Sequence, residues 1–188
     1  TYQPLYRIGI FYKTIFELYT AAGGKMRWLI SGCSGLGDTI LKIPILRTLR
    51  ELDSSAVIDI LTFQDREMDQ LLRCSPWVNE VYTISSEDSG WKKAQFFLNL
   101  RKHEYQALFL SYEAAHTYLI WGSYLAGIKV RVMHHGRTQN SIRNRIRQTL
   151  APLLPHTHLV PLKEARHKID LNFDLLEAYF QTKIERDY

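Results

Sequence analysis

Cysteine is scarce: Cys33 and Cys74 are the two in 188 residues. That is too few for a disulfide framework, and a reducing, cytoplasmic compartment is the expectation. Acidic residues are missing from one long stretch, since no Asp or Glu stands between Ala114 and Lys163. Long apolar runs are missing as well. The nearest, Ile8 to Ala22, is interrupted by Lys13 and Glu17, so it suits neither a membrane span of ~20 residues nor a signal-peptide core. No internal period is present, which excludes a solenoid of short repeats. His134, His135, His156 and His158 lack the carboxylates or cysteines that would complete a metal site, so none is expected.

What the chain does hold is an ordinary globular composition, 46% hydrophobic and 23% charged. A chain of this length buries roughly 70% of its unfolded surface and folds without a staple. The net charge is +5, but its distribution matters more. Lys129, Arg131, Arg137, Arg143, Arg145, Arg147 and Lys163 all fall in the stretch without carboxylates. Two readings fit: recognition of an anionic partner, or a solvated basic face with no ligand.

Residues 1–25 read apart from the rest. Tyr2, Tyr6, Ile8, Phe11, Tyr12, Ile15, Phe16 and Tyr19 form an aromatic stripe at helical spacing, broken by Gly23-Gly24. An interfacial membrane helix is one reading; the low count of Lys and Arg favours a helix packed on its own domain. From Met26 onward strands alternate with helices. Strands are expected at Trp28–Ile30, Val57–Thr62, Glu80–Ile84, Ala107–Leu110 and Val130–Met133. Helices are expected along the apolar face Ile40, Ile43, Leu46 and Leu49, at Arg66–Arg73, Trp91–Lys102, His116–Ala126, Ser141–Leu150 and Lys168–Phe180, with Pro44 forcing a kink or a late start near Ile43. Pro152, Pro155 and Pro161 mark an irregular connection. This alternation predicts an α/β, Rossmann-like, doubly wound parallel sheet over 26–188, whose ligands bind at the carboxyl ends of the strands.

The glycine turn after the first strand is therefore the first place to look for chemistry. A dinucleotide fingerprint needs G-x-G-x-x-G, whereas the glycines fall at Gly32, Gly35 and Gly37 in the reverse order. No acidic residue follows the second strand either; Thr62-Phe63-Gln64 stands there. A phosphate-binding P-loop needs Lys where Asp38 stands, and a carboxylate there repels phosphate. The remaining reading takes Asp38 itself as the point of the turn, a carboxylate at the mouth of a helix beside a bend that glycine permits. Asp38 also suits a plain helix N-cap, worth about 1 kcal/mol. The two roles are compatible.

Ser34-Gly35-Leu36-Gly37-Asp38-Thr39-Ile40-Leu41, with Pro44 and Leu46-Arg47-Thr48-Leu49-Arg50, resembles the opening of the bacterial lipopolysaccharide heptosyltransferases, glycosyltransferase family 9. Three later segments are similar to family motifs: Pro76-Trp77-Val78-Asn79-Glu80-Val81, Ala126 to Val132 with Arg131, and His167 ahead of a Leu-rich helix. Together they run from Met26 to about Phe180. The chain departs from the pattern at Gly32, where a basic residue is usual, and at Gln106 and Leu110, where Asp is common.

The resemblance implies the N-terminal, acceptor-side half of a two-domain GT-B enzyme, with the donor-binding C-terminal domain absent from this chain and the isolated chain inactive. It implies a metal-independent, inverting transfer of a heptose or related sugar to a lipopolysaccharide-core acceptor, with Asp38 as general base. No cofactor is implied beyond the donor nucleotide sugar, ADP-heptose or a relative. Ser34, Gly35, Gly37, Arg137 and Arg143 become candidates for the acceptor, an anionic glycolipid of lipid A or inner-core type that guanidinium groups grip well. A cytoplasmic protein, peripheral on the anionic inner face of the inner membrane, is expected. Arg143, Arg145 and Arg147 would suit nucleic acid, but no recognised nucleic-acid motif accompanies them. The alternative is a non-catalytic Rossmann-like domain that binds an anionic ligand or partner.

Overall fold

The computed structural model describes residues 23–31, 35–63, 66–85, 87–111, 116–135, 157–162 and 166–186. The expected N-terminal helix and the expected basic helix Ser141–Leu150 lie outside these residues, as do Ser34, Arg137 and Arg143. In chain order the elements are β1 (Arg27–Ser31), α1 (Leu36–Ile40), α2 (Ile43–Leu52), β2 (Val57–Thr62), α3 (Arg66–Arg73) and β3 (Glu80–Thr83). Then follow α4 (Gly90–Leu100), a 3-10 turn (Arg101–His103), β4 (Ala107–Leu110), α5 (Thr117–Leu125), β5 (Val130–His135), β6 (Thr157–Pro161) and α6 (Lys168–Phe180).

The strands form one parallel sheet in the order β3-β2-β1-β4-β5-β6. The Rossmann-like α/β fold expected from the alternation is the fold observed. Strands with helices on both faces read as continuous apolar runs, and burial is unbroken through Trp28–Ser31 and Ala107–Leu110. Alternate residues feed different layers. Trp28, Ile30 and Phe109 pack with α2 and α6 through Leu46, Leu49, Phe173 and Leu176. Leu29, Leu108 and Leu110 pack with α4 and α5 through Phe97, Leu100, Leu119 and Ile120.

Local chemistry sets the helix ends. Pro44 falls at the start of α2, where its missing N–H costs nothing, so the helical path breaks at Leu41–Lys42 and restarts at Ile43. Ser89 caps α4 by accepting from the Lys92 amide at 3.2 Å. His167 caps α6 through Nδ1, which accepts from the Ile169 amide at 3.3 Å. Helix α5 ends at Leu125 with Ala126 as its C-cap, and Gly127 follows at φ 68°, the left-handed conformation that glycine adopts freely. Gly122 lets α5 approach α4, for a Cβ there would overlap the Phe97 ring.

Two expectations need correction. The connection marked by prolines contains a sixth strand, Thr157–Pro161, paired with β5 from Arg131↔Thr157 to His135↔Pro161. Proline is tolerated because β6 ends the sheet order and Pro161 is its final residue. Arg131 is not on a solvated basic face. It is buried, donates from Nη1 to the Ile128 carbonyl at 2.8 Å and from Nε to Thr157 Oγ1 at 3.2 Å, and so ties β6 to the sheet.

Candidate active site

Chain order reverses between β1 and β4: β1 leads outward to β2 and β3, and β4 leads the other way to β5 and β6. At such a reversal the connections diverge and leave a crevice beyond the carboxyl ends of the two strands. Ser31 closes β1 there, and Ser111 follows β4. Both are buried, and the Ser111 amide donates to Ser31 Oγ at 3.2 Å.

Helix α1 starts just beyond this edge. Gly35 is its N-cap residue, with an extended backbone (φ −146°) and no side-chain cap. Asp38 is therefore not the cap; it stands in the first turn, and the capping role expected for it falls away. Nor do Gly35 and Gly37 have a backbone that only glycine adopts. A Cβ at either position would meet nothing within 4 Å, so no close approach requires glycine there. Thr39 is buried, and both its amide and its hydroxyl donate to the Gly35 carbonyl at 3.1 Å, which fixes the turn.

Asp38 is held from far along the chain. Lys168 Nζ donates to its Oδ1 at 2.5 Å, and the two side chains are 41% and 23% exposed respectively. Among the described residues Lys168 is the one partner of the carboxylate, so Oδ2 stays open. Helix α6 is fastened beside it: Asn172 Nδ2 donates to the Leu41 carbonyl at 3.4 Å, and His134 Nε2 contacts the Leu171 carbonyl at 3.0 Å. An anchored, partly exposed carboxylate with a free oxygen can accept a proton from a bound hydroxyl.

Lys168 and Lys42 escape a reading of the sequence. Lys42 is buried, and its Nζ donates to Ser111 Oγ at 2.8 Å. The signal was present: a single cation inside the apolar run Ile40, Leu41, Ile43, Ile45. Lys168 follows directly on His167, but its partner stands 130 positions earlier.

The strongest titration shifts lie elsewhere, on the face covered by α4. Burial holds the Asp59 carboxyl above the usual range, although the Tyr105 hydroxyl donates to its Oδ2. Burial also pushes Tyr105 up and His103 down. Among the described residues no group of three or more His, Cys, Asp and Glu side chains could hold a metal ion. No helix among them is long and apolar enough to cross a membrane.

By sequence, the chain matches no protein-family model and no curated protein. By structure it is similar to the family 9 glycosyl transferase from Veillonella parvula, with TM-score 0.64 and 14% identity over 86% of this chain and 43% of that one. It is similar to the E. coli heptosyltransferase WaaC with ADP, with TM-score 0.57 and 16% identity over 86% of this chain and 50% of that one. The E. coli ADP-heptose lipopolysaccharide heptosyltransferase II gives TM-score 0.49 and 25% identity over 59% of this chain and 31% of that one. The chain thus spans half or less of the length of each. The first two likenesses establish the fold: a Rossmann-like sheet shared with glycosyltransferases of the family that the sequence motifs resemble.

Proposed function

We propose that this chain forms the acceptor-side half of a metal-independent, inverting glycosyltransferase. The full-length protein would move a heptose or related sugar from a nucleotide sugar, ADP-heptose or a relative, onto a lipopolysaccharide-core acceptor. The observation that carries this reading is Asp38, a 23% exposed carboxylate at the crevice edge of a glycosyltransferase-like fold, with Oδ1 anchored and Oδ2 open.

In the proposed reaction an acceptor hydroxyl oxygen bonds to the anomeric carbon on the face opposite the nucleotide. The bond from that carbon to the nucleotide oxygen breaks with its electron pair, and the configuration inverts. The hydroxyl proton passes to Asp38 Oδ2, a positioned general base worth about 10²–10⁴ in rate. Lys168 keeps the carboxylate from turning away. Ser34, Gly35 and Gly37 are proposed to border the acceptor, and Arg137 and Arg143 to grip its phosphates or carboxylates. The donor would be held by a C-terminal half, and the protein would work at an anionic membrane face.

Asp38→Asn in the full-length protein tests this. The amide keeps the size but cannot take the proton. The expected result is a kcat lower by about 10²–10⁴ with substrate affinities nearly unchanged. A near-normal kcat would remove Asp38 from the chemistry.

A further inference from the structure

At the carboxyl ends of β1 and β4 stands a buried group of polar side chains that the proposed chemistry does not use. Lys42 is 2% exposed, Ser31 0% and Ser111 1%. An ammonium carries three N–H donors and no acceptor. One goes to Ser111 Oγ at 2.8 Å. Among the described residues Lys42 has no other side-chain partner, and no carboxylate stands within ion-pair distance of it. Ser111 Oγ accepts from Lys42, and Ser31 Oγ accepts from the Ser111 amide at 3.2 Å. Each hydroxyl therefore keeps its own proton to donate. The unused capacity is mainly donors, two ammonium N–H groups and two hydroxyl protons, against one acceptor lone pair left on each hydroxyl oxygen.

A charge taken out of water costs several kcal/mol unless it is paired and hydrogen-bonded. One neutral hydroxyl falls short of that, and an apolar residue at position 42 would avoid the cost. Donors in excess, a compact cation and the meeting point of β1 and β4 are complementary to a single oxyanion. We propose that Lys42, Ser111 and Ser31 form a subsite for a phosphoryl group. This inference rests on the buried donors and not on the transferase reading. The phosphoryl group can belong to a nucleoside diphosphate or to a sugar phosphate.

The test uses the full-length protein and inorganic phosphate, at constant ionic strength with chloride as the control. Binding is read at equilibrium by calorimetry and by the shift in melting temperature, because the groups are buried. Wild type is expected to bind phosphate and to melt higher with it. Lys42→Met, similar in length and uncharged, is expected to melt no lower than wild type without phosphate and to bind it at least about tenfold more weakly. If Lys42→Met fails to fold, Ser31→Ala deletes one donor and is expected to weaken phosphate about 2- to 10-fold. Unchanged phosphate affinity in the variant that folds would overturn the subsite, as would wild type that ignores phosphate. Displacement of phosphate by ADP assigns the subsite to a nucleotide; displacement by a hexose 1-phosphate assigns it to a sugar. Neither outcome depends on Asp38, so this proposal and the catalytic one fail separately.

Discussion

Lys168 Nζ and Asp38 Oδ1 lie 2.5 Å apart, across 130 positions of sequence. The pair joins the first turn of α1 to the first residue of α6. It is only part-buried, with side chains 41% and 23% exposed, so its share in stability is modest, about 0.2–1 kcal/mol. Its value is positional. Lys168→Ala in the full-length protein is expected to lower kcat about tenfold, less than Asp38→Asn, with little change in melting temperature. Lys168→Arg, which keeps a donor, should recover part of the loss. Equal kcat for Lys168→Ala and wild type would show that the anchor is idle.

Asp59 supplies a pH signature. Burial raises its folded-state pKa above 3.8, so the folded protein holds the proton more tightly than the unfolded chain. Stability from this group is complete below the unfolded value and is lost as pH climbs through the folded one. Its Oδ1 is buried with no hydrogen-bond partner, so ionisation leaves a poorly compensated charge. Asp59→Asn should flatten that limb of the stability profile and raise stability near pH 8 by about 1–3 kcal/mol. Urea denaturation at pH 5 and pH 8 checks it: parallel profiles for both proteins would exclude the mechanism.

Gly122 supplies a packing test. Its missing Cβ is the space that the buried Phe97 ring occupies between α4 and α5. Gly122→Ala is better for helix propensity yet should cost about 1–3 kcal/mol through overpacking. Adding Phe97→Leu should return part of that loss, a coupling that a double-mutant cycle measures. Additive effects would mean that the helices simply move apart.

The elements most legible in the sequence were those with one decisive signal. Ala107–Leu110 is an apolar run between Gln106 and Ser111, Val57–Thr62 is rich in branched apolar residues around Asp59, and Lys168–Phe180 has a clear apolar stripe. Strand β6 was hidden because proline argues against a ladder, and only its edge position makes Pro161 harmless. Arg131 read as surface charge because its partners, a carbonyl and a threonine from the next strand, leave no mark in composition. The position of Asp38 after β1 was readable from the turn, but not its anchor. Lys42 and Lys168 reach partners 69 and 130 positions away, and local pattern carries no information over such distances.

That long separation also orders events in time. A chain made at roughly 5–20 residues per second presents Asp38 about 6.5 to 26 s before Lys168 exists. Until α6 docks, the acid turn stands on a nascent sheet with no cation at its side and with Phe173 and Leu176 missing from the core. The proposed base is thus synthesised well before the residue that fixes its geometry. An incomplete product ending before residue 168 would carry the motif and lack the geometry.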